Sequence, residues 1–218
     1  LTGPTTIHRD FDGAPLSDTW YVPSLANQLA GQDLLPADAD IESEYNSDVD
    51  GNTVLGNSHW YYGLDANPPG NDIDFVSIVL HELAHGLGFI DMIDPDTGRF
   101  YGNTPSIYSR QLTQPGVGDL DAISRLQRLA ALTSDNLYWN GPLTVARHEG
   151  MIKMYAPDPY VSGSSISHWD PSNAADLLME PFANEATHNL DLTPIALEDL
   201  GWTSPLINSS TKHWIEYP

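Results

Sequence analysis

The sequence predicts an α+β fold in which one helix carries most of the recognisable chemistry. Three observations lead there. Residues 75–90 keep apolar side chains at helical spacing around two histidines four apart. Several short strand-like stretches elsewhere are broken by Gly and Pro. The long region from Asp91 to Ser167 shows no obvious repeat. At 218 residues there is room for one large domain, or two small lobes around a cleft. The expected architecture is a small twisted sheet beside that helix, with an irregular, partly helical remainder.

Composition narrows the possibilities. A hydrophobic content of 40% with six Trp belongs to a folded globule. No apolar run reaches the ~18 residues of a membrane span. The chain begins at Leu1 without an initiator Met or a signal pattern, and reads as a processed or trimmed piece of a longer precursor. Cysteine is absent, which excludes disulfides, thiolate nucleophiles and thiolate metal sites together. Thirty acids against eight bases give a net charge of −22, a poor surface for nucleic acid because phosphate would be repelled. Solubility in salty surroundings, calcium binding and a preference for basic substrates remain. Asp38, Asp48, Asp50 and Asp72 are the weak candidates for Ca²⁺. Asp48-x-Asp50-Gly51 superficially resembles a calcium loop but lacks the rest of that motif, and a plain turn is the simpler reading.

Taken in order, residues 5–7 suit a short strand, and residues 25–29 a short helix ending at Gly31. Residues 38–46 alternate loosely and predict a strand, followed by a polar turn over 46–52. His59-Trp60-Tyr61-Tyr62-Gly63-Leu64 is aromatic and strand-forming. Asp72 or Asp74 can cap a helix through residues 75–88, with Gly88 ending it in a left-handed turn. Its apolar set, Val76, Val79, Leu83, Leu87 and Ile90, predicts burial opposite the histidines. Residues 119–133 form the clearest amphipathic pattern, whereas 143–145 and 151–155 suit short strands. Thr193-Pro194 reads as a cap and first-turn proline for a helix over 195–200 closed by Gly201. The polar tail from Thr203 contains a possible glycosylation acceptor, Asn208-Ser209-Ser210.

The chemistry sits in His81-Glu82-Leu83-Ala84-His85. Chance gives roughly 0.01 such His-Glu-x-x-His matches in a chain with eight His and eight Glu. On a helix, residues four apart stack on one face, so His81 and His85 can offer two imidazoles to one metal. Glu82 lies about 100° round the helix, beside the open position, where it can take a proton from water. On a strand the same histidines would stand about 13 Å apart, so the metal reading requires a helix. A catalytic zinc needs a third protein ligand. Asp91, His168, His8, His59, His148, His188 and His213 are the candidates. A neutral imidazole would leave the metal a full dication, whereas a carboxylate would partly neutralise it. Apart from His168, the other five histidines show no spacing and read as solvated surface groups.

His81-Glu82-x-x-His85-x-x-Gly88 resembles the opening of the metzincin signature. In most metzincins the third ligand lies three residues after the glycine, here Asp91, and the snapalysin type uses Asp there. Ser164-Ser165-Ile166-Ser167-His168-Trp169-Asp170 followed by Leu177-Leu178-Met179-Glu180-Pro181 is similar to the distal part of the leishmanolysin group and related bacterial secreted proteases. That second resemblance covers about residues 58–90 and 160–202. It implies a metzincin-like single catalytic domain over 1–218: an upper lobe of about 1–90 holding sheet and helix, and a lower lobe of about 91–218 with a long insertion at about 92–160. It makes His168 the third ligand and Met179 the Met-turn residue below the metal. It also implies secretion and a removed prosegment.

On this reading the chain is a secreted zinc endopeptidase. His81, His85 and His168 hold one Zn²⁺, and a zinc-activated water hydrolyses the peptide bond with Glu82 as general base. Trp60, Tyr61 and Tyr62 would bind the polypeptide substrate by strand addition, and Pro181 and Phe182 would wall a primed-side pocket. Two departures stand out: Pro181 occupies the place where some metzincins carry a zinc-side tyrosine, and without cysteine no cysteine switch can exist in this chain. The rival expectations are a zinc hydrolase of a small ester or amide, and an acidic calcium-binding module with a decayed site.

Overall fold

The computed structural model describes residues 2–51, 53–172, 176–182 and 185–203. His213, the Asn208 acceptor and the tail beyond Thr203 lie outside the described residues. The fold mixes helices with small sheets. β1 (Thr2–Pro4) pairs antiparallel with β2 (Ile41–Ser43), and β3 (Trp60–Tyr61) pairs parallel with β4 (Ile73–Asp74). A four-stranded antiparallel sheet of order β6-β5-β7-β8 joins β5 (Leu112–Gln114), β6 (Gly118–Asp119), β7 (Tyr138–Trp139) and β8 (Ile152–Lys153). The helices are α1 (Pro23–Ala30), α2 (Phe75–Gly86), α3 (Arg125–Ala131), α4 (Pro142–His148) and α5 (Thr193–Leu200).

α2 forms as its sequence directs. The Asp74 carboxylate accepts the Ser77 amide N–H at 2.7 Å, satisfying one of the orphan donors of the first turn. Gly88 has φ +114°, a conformation costly for any residue with a Cβ. The predicted apolar face is buried only in part, however, although the histidines do line a cleft. The buried positions of α2 are Ser77, Ala84, His85 and Gly86, while Leu83 is 39% exposed and Val76 and Val79 are only half-buried. His81 takes its backbone partner from the remote Leu178 and His85 from Phe89 in the turn just after the helix, and the Leu178 segment packs on the histidine side. Strand β2 presses on the same helix: a Cβ at Gly86 would meet Ile41 Cγ2 at 2.5 Å.

Three further expectations are corrected by tertiary context. Residues 143–145 lie within α4 instead of a strand. Pro142 suits the first helical turn, and the Asp199 carboxylate accepts the amide N–H groups of Leu143 at 2.8 Å and Thr144 at 3.1 Å. That remote cap outweighs the β-propensity of Thr144 and Val145. The helix expected over 119–133 begins only at Arg125, because Ser124 and Gln127 form a capping box and residues 118–119 are used by β6. The strands expected at 5–7, 38–46 and 59–64 are shorter or shifted, as β1, β2 and β3.

One core cluster joins most of these elements. Phe89, Tyr108, Trp139 and Trp169 form its aromatic centre, with Phe89 and Trp169 edge-to-face at 4.7 Å and Phe89 stacked on Trp139 at 5.5 Å. Phe89 leaves α2 and Trp169 follows His168. Burying both rings together therefore draws the two histidine-bearing segments into one place. Among the described residues, no helix is long and apolar enough to cross a membrane.

Candidate metal centre

Each of the three histidines is oriented by a backbone carbonyl. The Nδ1 atoms of His81, His85 and His168 lie 2.7 Å from the carbonyl oxygens of Leu178, Phe89 and Ser164 respectively. A carbonyl only accepts, so each Nδ1 carries the proton and each Nε2 keeps a bare lone pair. The Gly88 turn is what brings the Phe89 carbonyl back to His85: Phe89 N–H bonds Ala84 O and Gly88 N–H bonds His85 O, both at 3.0 Å. The His168 loop is held from outside by the Tyr108 hydroxyl, which donates to Ile166 O at 2.7 Å, and by Tyr155 N–H, which donates to His168 O at 2.9 Å.

The three Nε2 atoms face one another. His81 and His168 are separated by 3.1 Å, His85 and His81 by 3.1 Å, and His85 and His168 by 3.2 Å. With no proton between them, lone pairs this close repel unless a cation sits among them. Tetrahedral zinc, with Zn–N bonds of about 2.0–2.1 Å, would space its nitrogens about 3.3–3.4 Å apart. The observed triangle agrees to within a few tenths of an ångström, so the residues fit a metal. Three neutral imidazoles suit zinc, copper, iron or nickel, and geometry alone does not choose among them. Burial pushes all three histidines below the usual range, His85 to about 4 and His168 to about 3, with the neighbouring imidazoles adding to the effect on those two. They are thereby held in the neutral form that ligation requires.

Asp91 is not in this cluster. One carboxylate oxygen accepts the Ser109 hydroxyl at 3.1 Å and the other accepts the Ile93 amide at 2.6 Å, while the Asp91 N–H donates to Ser167 Oγ at 3.0 Å. Burial raises its carboxyl to about 6. It supports the loop before His168 instead of reaching the histidines. Met179 is fully buried beside Leu178, and its carbonyl accepts the Trp169 N–H at 2.8 Å.

Two cavities meet at His81, Glu82 and Pro181. One, of about 350 Å³, includes His85, His168, Asp91 and Tyr160; the other, of about 310 Å³, extends along α2 to Ser77 and is walled by Glu180, Phe182 and Thr187. Trp60, Tyr61 and Tyr62 line neither. The rings of Trp60 and Tyr62 pack on Phe75 at 5.3 Å, and the Tyr61 and Tyr62 hydroxyls donate to Asp65 and Asp50.

Two histidines differ from the solvated reading. His188, read as solvated, has its Nε2 2.9 Å from Asp74 Oδ1 and ties the segment after Met179 to the start of α2. His8 also departs from the solvated reading, since its Nε2 is buried without a partner. The cap signal at Asp74 was visible, but nothing local pointed from it to His188. Among the described residues, His81, His85 and His168 are the only group of three or more such side chains able to share an ion. Of the aspartates expected at a calcium site, Asp50 accepts the Trp60 N–H and Asp72 the His59 N–H, each at 2.9 Å. In comparisons with protein-family models, curated proteins and solved structures, nothing matches this chain.

Proposed function

We propose that this chain is a zinc-dependent endopeptidase. The carrying observation is the triangle of Nε2 atoms from His81, His85 and His168, with Glu82 adjacent to the first of them and lining both cavities. The three histidines would hold the ion, which when bound polarises a carbonyl and brings the pKa of water to about 7. Glu82 accepts the proton that water loses and passes it to the departing amine nitrogen. Hydroxyl is thus added to the carbonyl carbon as the C–N bond breaks. Two cavities that share His81, Glu82 and Pro181 give room for an extended chain, which supports a polypeptide over a small ester or amide.

The resemblance of the His81–Gly88 and Ser164–Pro181 stretches to the metzincins, above all the leishmanolysin group, supports the same reading. Secretion, a removed prosegment and the two-lobed division with its insertion at about 92–160 come with it as parts of the proposal. Pro181 and Phe182 contribute to the wall beside Glu82, and the β3 aromatics remain candidates for an outer rim.

The test is direct. The purified chain should carry about one zinc and cleave an unstructured protein such as casein. Glu82→Ala should keep both zinc and fold and lose cleavage by several orders of magnitude. Full activity in that variant overturns the mechanism, and absence of zinc binding in the wild type overturns the metal assignment.

A further inference from the structure

The 310 Å³ cavity beside His81 has a chemistry of its own. Its described lining carries four carboxylates, Glu82, Asp176, Glu180 and Glu185, and no Lys or Arg. Ile78, Leu177 and Phe182 add apolar surface. Glu180 is the informative member because it is 5% exposed. Its Oε1 accepts the Leu177 amide at 3.1 Å, and no basic side chain among the described residues pairs with it. Burial raises its carboxyl above the ordinary range, and the like charges of Asp176 and Asp191 push the same way. Two other buried acids have basic partners, Asp170 with Lys153 at 3.2 Å and Asp74 with His188 at 2.9 Å, whereas buried Asp91 is answered by the Ser109 hydroxyl and the Ile93 amide and lies away from this cavity. A desolvated carboxylate held by one amide bond, with like charges and no basic side chain beside it, is stabilised further by a cation arriving from outside.

We propose that this cavity is a specificity pocket for a lysine or arginine side chain of the polypeptide cleaved at the neighbouring histidines. The assignment rests on the peptidase reading above. The apolar lining covers the methylene stem of the incoming side chain, while Glu180, assisted by Asp176 and Glu185 at the rim, receives its charged head. The net charge of −22 then serves recognition as well as solubility, because it draws basic chains towards the cleft.

The experiment uses the zinc-loaded full chain and peptides identical except for Lys, Arg, Leu or Glu at each position flanking one scissile bond. Cleavage sites are mapped by mass spectrometry, and kcat/KM is measured for each peptide. At one flanking position Lys or Arg should exceed Leu by about thirtyfold or more, with Glu poorest. Glu180→Gln should bring the basic-to-Leu ratio down by about tenfold, and the exposed Glu185→Gln should lower it less. Cleavage with no basic preference, or an unchanged ratio in Glu180→Gln, overturns the pocket assignment while leaving the peptidase intact. Should Glu180→Gln not fold, the wild-type profile and Glu185→Gln still decide. Failure to cleave any peptide by zinc-bound protein overturns the peptidase reading, and this assignment with it.

Discussion

The Nδ1–H of His81 donates to the carbonyl oxygen of Leu178 at 2.7 Å, so the residue before Met179 fixes the ring of a histidine 97 positions away. Leu178 is itself held by Asp191, whose Oδ2 accepts its amide N–H at 2.5 Å. Asp191 Oδ1 also accepts the Thr193 N–H at the start of α5. A carboxylate that touches none of the three imidazoles thereby orients one of them.

Asp191→Ala should for that reason weaken metal affinity by about 10–100-fold, the usual penalty for losing an outer support. Competition with a zinc chelator measures it. An unchanged dissociation constant would show that the Leu178 carbonyl is positioned by other means.

His168→Ala and Asp91→Asn separate the two candidates for the third ligand. The first should lose more than about 100-fold in metal affinity. The second should retain the metal and lose stability through its bonds to Ser109 and Ile93, by about 1–3 kcal/mol. Metal analysis of the two proteins beside their denaturation midpoints distinguishes them, and the reverse pattern would reinstate Asp91.

Asp74 gives a stability term with a defined pH dependence. Burial alone would raise its carboxyl, but bonds from the Ser77 amide and hydroxyl and from His188 outweigh burial and hold it below the ordinary carboxylate value. A carboxyl depressed in the folded state contributes stability that is present above its unfolded value, near 4, and is lost as pH falls through the folded one. Asp74→Asn should lower stability at pH 7 by about 1–3 kcal/mol and flatten the acid limb below pH 4. Parallel acid limbs in wild type and variant would refute this.

Asp199→Ala should melt α4 first. The carboxylate of Asp199 accepts from Leu143 N–H, Thr144 N–H, the Thr144 hydroxyl and Trp139 Nε1–H. Losing it should cost about 2 kcal/mol. Hydrogen exchange within residues 142–148 should accelerate ahead of the rest of the protein. Uniform acceleration would mean that α4 has no separate dependence on this cap.

Where residues act on near neighbours, the sequence was readable. Asp74, His81, His85 and Gly88 are tied by spacings of a few residues, so cap, ligands and helix end could be placed directly. The helix at 193–200 was legible from Pro194 and Gly201 for the same reason, although the structure starts it one residue after Leu192 instead of at a Thr193 cap. What failed depended on distant partners. α4 needs Asp199, His81 is held by the carbonyl of the remote Leu178, and the orienting groups on Leu178, Phe89 and Ser164 are backbone atoms with no signature in any side chain. His168 was reached through a family likeness, since no spacing connects it to His85.

The carbonyl anchors have a consequence for timing. Two of the three nitrogens belong to one helix, but the third is joined to His81 across 87 positions, and closing so long a loop is entropically slow. A nascent or half-collapsed chain can present only a bidentate site, whose grip on an ion is weak. An ion held by all three histidines would therefore be bound late, after Phe89 and Trp169 have met. On the peptidase reading, an unfinished copy would spare its neighbours until the third histidine arrives.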